Sequence, residues 1–392
     1  MTARTHFAIF PITMGPGSKN RYEVIIVGCG IAGASLAYFL TERGVTDVLI
    51  LEREEQPGYH ATGRSAAVLV ELDPIFSIFQ LKALSAAFLR DPPDGFSEYP
   101  LLDRSGILVM FRKPIWNAIK ELSKTWEQAG VSLQLLSPSE VLDRIPVVSP
   151  DHFDGGVWLP EDGHIDVHEL LSGYLRHARR RGAELRCNVE VRGIRVERGR
   201  CSGVVTNAGE FQSRWVVDSA GAWAGKIAKL AGAAPIEITP KRRTIITFAG
   251  PVDIDTSTWP LVANLSHELY FSPESGGIYA SPMDEDPMEP CDAHPDELVV
   301  AMTIDRIEKL APRLAPKSIR RKWAGLRTFA PDQAFVVGED PLVKGFFWLA
   351  GQGGSGIETS PIVGQIAADL IIDGRTDKID SSILSPMRFE SR

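Results

Sequence analysis

The run Val24-Ile25-Ile26-Val27-Gly28-Cys29-Gly30-Ile31-Ala32-Gly33 constrains the fold more than any other stretch of the chain. Consecutive apolar residues suit a parallel strand buried on both faces, and the glycine spacing after them suits a strand that turns sharply into a helix. Gly28 permits the tight turn, Gly30 lets the backbone approach a pyrophosphate, and Gly33 lets the helix pack closely on the sheet. The helix start, with Ile31 and Ala32 in its first turn, offers N–H groups and a positive dipole to an anion. Apolar residues continue at helical spacing from Ala34 to Leu40, and Gly44 closes the helix. A second apolar run, Val48 to Leu51, then delivers Glu52, followed by Arg53, to the ribose of a dinucleotide. An acid at that place favours a ribose without a 2′-phosphate.

The chain has 392 residues, 44% hydrophobic and 23% charged, enough for two domains. Its formal charge of -8 argues against a nucleic-acid groove and against an anionic membrane surface. Cys29, Cys187, Cys201 and Cys291 form no CxxC pair, so neither a metal site nor a disulfide framework is indicated. No stretch reaches the roughly 18 apolar residues of a transmembrane segment, and residues 1–20 carry no secretory pattern. The expectation is a cytoplasmic protein with a flexible N-terminal extension over residues 1–20.

Three further stretches extend the reading. Gly58 to Ala67 is a loop of small residues in which Thr62, Arg64, Ser65, Ala66 and Ala67 can bring backbone against a cofactor. The pattern then predicts helices over 75–89 and 115–128, a short turn over 139–143, and a helix over 167–181 capped by Asp166. Strands follow over 184–186 and 189–196, the latter containing Val191. Trp215 to Asp218 reads as a buried strand that runs into a second small-residue turn, Ser219-Ala220-Gly221-Ala222-Trp223. Phe346 to Ala350 is another buried strand, followed by a glycine loop with Gly353, Gly354, Ser355 and Gly356 and a helix from Ile357 to Ile372. A single NAD site has no evident need of the later turns, whereas FAD held along its whole length does. None of the cysteines matches an attachment motif, so the FAD is expected to be non-covalent.

These stretches, with Gly325-Leu326-Arg327 and Pro331-Asp332 between the second turn and the last strand, resemble the D-amino acid oxidase superfamily of FAD-dependent amine oxidoreductases. Within it the likeness is closest to bacterial D-arginine dehydrogenase. The resemblance runs from Glu23 to Pro386 and is most specific over Pro92-Pro93-Asp94-Gly95-Phe96, Pro240-Lys241-Arg242-Arg243 and Trp323-Ala324-Gly325-Leu326-Arg327. It implies an α/β fold: a Rossmann-like FAD-binding domain with an inserted α+β substrate domain built on a mostly antiparallel sheet. The FAD-binding domain is expected over 21–75, 150–234 and 325–392, and the substrate domain over 76–149 and 235–324. The resemblance implies that Arg243 and Arg327 hold a substrate carboxylate, for which the planar guanidinium fork is suited. Tyr270 would lie over the substrate, and Gly325 would join the cofactor contacts.

The departures from that pattern concern the substrate pocket, where Val68, Asp73, Ile107 and Gly354 are expected. Ile107 stands where D-arginine dehydrogenase has an acidic residue for the guanidinium of its substrate. Burying a cation against Ile107 and Val68 would cost several kcal/mol unless Asp73 or Glu71 folded inward to pair with it. The expected reaction is therefore oxidation of an amino acid, a D-amino acid with a neutral or apolar side chain, to an imino acid by hydride transfer to flavin N5. A secondary amine, an N-methyl amino acid or a larger amino-acid-derived intermediate fits the same clamp, and a non-catalytic flavoprotein is the remote alternative. The sequence leaves the electron acceptor open between oxygen and a quinone.

Overall fold

The computed structural model describes residues 19–390. The extension expected over 1–20 lies, save for its last two residues, outside the described residues. The apolar strand Arg21–Val27 sits at the centre of the first sheet. It pairs in parallel with Val48–Leu51 on one side and with Gly209–Asp218 on the other. Glu184–Arg186 and Phe346–Ala350 extend the parallel set at either end. A hairpin, Val191–Glu197 with Arg200–Thr206, and the strand Val336–Glu339 add antiparallel edges. Parallel strands bury both faces, and here the central ones are almost wholly apolar.

One face of this sheet is covered by the helices Ile31–Glu42, Val167–Arg180 and Ser360–Asp373, whose Leu36, Tyr38, Tyr174 and Ile366 share one core with Val24 and Ile26. The helix Ala224–Ala231 covers the other face, over Ile25, Leu49 and Phe211.

The second sheet has eight strands in the order Ile319–Phe329, Thr239–Phe248, Gly277–Ser281, Leu269–Glu274, Leu261–Asn264, Ile107–Phe111, Gly155–Leu159, Gln134–Leu136. All neighbours are antiparallel except Leu261–Asn264 with Ile107–Phe111. Side chains alternate across it. Leu108, Met110, Val262, Phe271 and Ile246 pack under the helix Glu297–Leu310, while Ile107, Val109, Leu261, Ala263, Tyr270 and Ile245 face the opposite way, towards the first sheet's glycine loops.

Several boundaries differ from the sequence reading. Gly155–Leu159 belongs by pairing to the second sheet, and so does all of Ile319–Phe329, so the divisions drawn at 150 and 325 cut through this sheet's territory. Short apolar runs carry no mark of which sheet they join. The turn over 139–143 is a helix, Pro138–Arg144, because Ser137 and Glu140 form a capping box. The last helix starts at Ser360 rather than Ile357, with Pro361 in its first turn, a place proline favours.

Asp218 ends its strand fully buried, with Oδ1 accepting the Ala220 N–H at 3.2 Å and Oδ2 without a partner among the described residues. Burial pushes its carboxyl up to about 8, against the weaker pull of the Ala220 N–H. A carboxyl whose folded-state pKa is raised stabilises fully below its unfolded value and loses that contribution as pH climbs through the folded value. The melting temperature is accordingly expected to fall by a few degrees between about pH 5 and pH 8.5. Asp218→Asn should flatten that slope in a thermal-denaturation series, and an unchanged slope would contradict it.

Candidate active site

The first turn shows why each glycine is there. Gly28 has φ 102°, and a Cβ on it would stand 2.6 Å from the Ser219 carbonyl oxygen. A Cβ on Gly33 would stand 2.2 Å from the Gly28 oxygen, so Gly33 lies beneath the site, sealing helix to strand. Thr62 Oγ1 accepts the Ile31 N–H at 3.0 Å and so fixes the small-residue loop against the helix start. Glu52 is buried at the strand end, with Oε2 accepting the Cys29 N–H at 2.8 Å and Oε1 the Glu54 N–H at 3.0 Å. The carboxylate is thereby fastened to the glycine turn while its remaining lone pairs face a cavity of about 260 Å³.

That cavity is bounded by Gly28, Gly30, Glu52, Arg53 and Thr62 on one side. Val191, Ala220, Gly221 and Trp223 bound it on the other, with Arg64 and Gly325 at its inner end. Arg53 lies over the Trp223 indole at 3.7 Å, and the His60 ring stands 4.6 Å from the same indole, forming an aromatic rim that the sequence reading did not include His60 in. A cavity lined by glycine backbone on the helix turn and by a fastened carboxylate suits an adenosine diphosphate moiety.

A second cavity of about 140 Å³ shares Gly30, Thr62, Arg64, Gly221 and Gly325 with the first. It adds Ile31 and Ala32 from the helix start, Ser65 and Ala66 from the loop, and Gly353, Gly354, Gly356 and Ile357 from the last glycine loop. Two anchors join these parts. The Trp323 Nε1–H donates to the Arg64 carbonyl at 3.0 Å, and the Gly353 N–H donates to the Thr328 carbonyl at 2.7 Å.

Arg243, Arg327 and Tyr270 meet at the junction of this cavity with a third. The register explains it: Arg243 pairs with Gly325, and Lys241 with Arg327, so both arginines project from one face of adjacent strands. Arg243 is buried, donates Nη2 to Glu285 Oε1 at 2.9 Å, and has no partner for its Nε among the described residues. Burial and then the neighbouring Arg327 guanidinium lower its pKa to about 10. Among the described residues the Arg327 guanidinium has no carboxylate partner. It lies against Gly354, where a Cβ would come within 2.7 Å of its Nη1. Two guanidinium groups sharing less than their complement of carboxylate form a site for an anion.

The third cavity, about 440 Å³, is lined by Val68, Asp73, Ile107, Ala67, Gly354 and Ser355 among others. Val70, Leu72, Val109, Phe111, Ile119, Leu122, Trp126, Leu261, Ala263 and Met283 make most of its wall apolar. Asp73 does face it but is held by Lys82 Nζ at 3.0 Å. Glu71 does not: it points away to Arg90, beside Asp162, whose carboxyl burial and the Glu71 charge push up to about 8. The inward pairing considered for Glu71 is therefore corrected.

Sequence reasoning missed Lys82, Glu358 and Glu285. Lys82 is buried and sits 3.2 Å from Glu358 Oε1. Burial opposes its charge, yet Glu358 and Asp73 outweigh burial and hold the ammonium above its usual pKa. One signal was present: Ile78, Lys82, Ser85 and Leu89 share the buried stripe of the helix Phe76–Arg90, a place where an unpaired lysine is almost never found.

The family model described as FAD dependent oxidoreductase matches residues 23–370. FAD-dependent oxidoreductase domain-containing protein 1 of Bos taurus is 27% identical, over 94% of this chain and 84% of its own. The mitochondrial sarcosine dehydrogenase of Mus musculus is 26% identical over 94% of this chain but only 42% of its own length. Among solved structures, the L-proline dehydrogenase from P. horikoshii has a TM-score of 0.83 at 24% identity, covering 95% of this chain and 99% of that one. Among the described residues no helix is long and apolar enough to cross a membrane.

Proposed function

The chain belongs to the family of FAD dependent oxidoreductases, and we propose that it oxidises an amino acid with an apolar side chain, a D-amino acid in the first instance, to the imino acid. FAD is its cofactor, and the residues present fit it. Glu52 would receive the ribose hydroxyls, the Gly28 to Ala32 turn the pyrophosphate, and the loops Thr62 to Ala66 and Gly353 to Ile357 the flavin end. When bound, FAD accepts the hydride from the substrate α-carbon.

The remaining work falls to the chain itself. Arg243 and Arg327 would bind the carboxylate in a forked, directional manner, and Tyr270 would close over it, fixing the α-carbon in one place. The apolar wall around Ile107 and Val68 excludes water and receives the side chain. The imino acid, once released, hydrolyses in water to a 2-oxo acid and ammonia. The observation that carries this reading is the pair of carboxylate-poor guanidinium groups opening on a large apolar cavity. Similarity to sarcosine dehydrogenase favours a second reading, an N-alkylated amino acid on the same clamp.

Anaerobic mixing of the holoenzyme with D- and L-phenylalanine, D-leucine, D-arginine and sarcosine, followed through the visible flavin absorbance, tests both. Fast bleaching by apolar D-amino acids, with at least a ~100-fold lower response to D-arginine, is the expected result, since an unpaired buried cation costs several kcal/mol. Preferential bleaching by sarcosine would select the second reading, and bleaching chiefly by D-arginine would reject the apolar-pocket assignment.

A further inference from the structure

The apolar cavity carries charge in two places, and the two are opposite in sign. At one, Arg243 is paired with a single carboxylate, Glu285, which also binds Lys241, and the neighbouring Arg327 has no carboxylate partner among the described residues. At the other, one ammonium, Lys82, lies between two carboxylates, Asp73 at 3.0 Å and Glu358 at 3.2 Å. The first is in cationic excess and the second in anionic excess. Arg243, Lys82 and Glu358 are buried and Arg327 and Asp73 half-buried, so an unbalanced charge is costly there and a complementary ligand charge is correspondingly favoured.

Backbone links the two places. Glu358 belongs to the loop whose Gly354 abuts the Arg327 guanidinium, so the anionic cluster is reached from the clamp along one short segment. Glu358 Oε2 accepts the Val70 N–H at 2.8 Å and Oε1 receives Lys82. The Ser355 side chain also bonds to this carboxylate, and of about four acceptor positions one remains for a ligand. Lys82 also donates to the Leu72 carbonyl at 3.3 Å, which fixes the cluster in the cavity wall. The buried Arg243 Nε in the same cavity, without a partner among the described residues, independently points to a ligand that is polar at its clamped end.

We propose that the Lys82, Asp73 and Glu358 cluster is the amine-recognition element of this cavity, with Glu358 as the group that receives the substrate ammonium while the arginines hold its carboxylate. This rests on the amino acid oxidase reading and names the determinant within it. A zwitterion completes both charge excesses at once, whereas a simple carboxylic acid completes only one. Lys82 acts through the carboxylates, holding them apart and in place, and is a positioning residue.

The test compares two ligands on the FAD-loaded protein. Phenylalanine, as each enantiomer and as its N-methyl derivative, supplies the amine, and its apparent Kd is read from the concentration dependence of anaerobic flavin bleaching. The probe 3-phenylpropanoate supplies the carboxylate and ring without the amine, and its Kd is read from perturbation of the flavin spectrum. In Glu358→Gln the amine ligand is expected to weaken about 10- to 100-fold, while 3-phenylpropanoate stays within about twofold. Equal weakening of both ligands, or of neither, would overturn the proposal, because a purely structural role moves both together. If the substitution costs the protein its FAD, the same comparison is made on Asp73→Asn. Failure of the wild-type flavin to respond to any of these ligands would instead overturn the clamp on which the proposal rests.

Discussion

Arg243→Met is expected to lower kcat/KM for the best amino acid substrate by about two to four orders of magnitude, with most of the loss in KM. Removing one partner of a buried, charge-assisted pair costs about 3–5 kcal/mol, because the substrate carboxylate is then desolvated with half its complement. Glu285 is not stranded by the loss of Arg243, because it is largely open to solvent and already paired with Lys241 at 3.2 Å. The side chain of methionine fills the same slot, so the sheet and the FAD content should be preserved. Arg242→Met is the built-in control: it sits on the opposite face of the strand, tied to Asp284 and Asp286, and should change kcat/KM by less than about threefold. Because burial and Arg327 bring the Arg243 pKa down to about 10, binding of the carboxylate should hold steady through neutral pH and weaken as pH approaches that value. Steady-state kinetics of the two variants across pH 7–10.5 decide the matter, and comparable losses in both would remove Arg243 from the clamp.

The run Lys241-Arg242-Arg243 also shows what the sequence could and could not reveal. As a string it is three adjacent cations, and only alternation along a strand separates the outer two from the middle one. Resemblance singled out Arg243, but its pairing with Gly325 and its diagonal relation to Arg327 depend on a register that spans some eighty residues of intervening chain. The first sheet was far more legible. Its strands Arg21–Val27 and Phe346–Ala350 are apolar runs that lead into glycine turns, a local signal, and elsewhere the helices beginning at Ile115 and Val167 stop within a residue of expectation. The Lys82 cluster was least legible of all. Its members come from a loop, a helix and the last glycine turn, and nothing in any one of those segments announces the other two. Ile107 and Val68 could be named as pocket residues by resemblance. That their wall is continued by Ile119, Leu122 and Trp126 from a separate helix is a fact of packing.

Gly33→Ala is expected to leave the protein unable to retain FAD, with affinity reduced at least ~100-fold, and to lower its melting temperature. The added methyl would stand 2.2 Å from the Gly28 carbonyl oxygen, 2.8 Å from Ser219 Oγ and 3.0 Å from Ile26 Cγ2. The nearest of these is backbone, in the very turn that would face the pyrophosphate, and cannot swing aside as a flexible side chain would. Relief requires the helix Ile31–Glu42 to lift from the strand Arg21–Val27, which opens the core that Leu36 and Tyr38 share with Ile26. Ordinary overpacking costs about 1–3 kcal/mol, and a collision with backbone falls at or beyond the top of that range. Lifting the helix also carries the N–H groups of its first turn away from the anion they would hold, so cofactor affinity falls by more than stability alone would predict. Gly225→Ala separates this from a general intolerance of alanine: Gly225 lies inside the helix Ala224–Ala231 with no atom within 4 Å of the new Cβ. That variant should keep its FAD and gain about 0.5–1 kcal/mol through reduced chain entropy in the unfolded state. The ratio of flavin to protein absorbance after gel filtration, read beside the melting curves, is the deciding measurement. Full FAD retention in Gly33→Ala would mean that the close seal of helix on strand is not what shapes the phosphate turn.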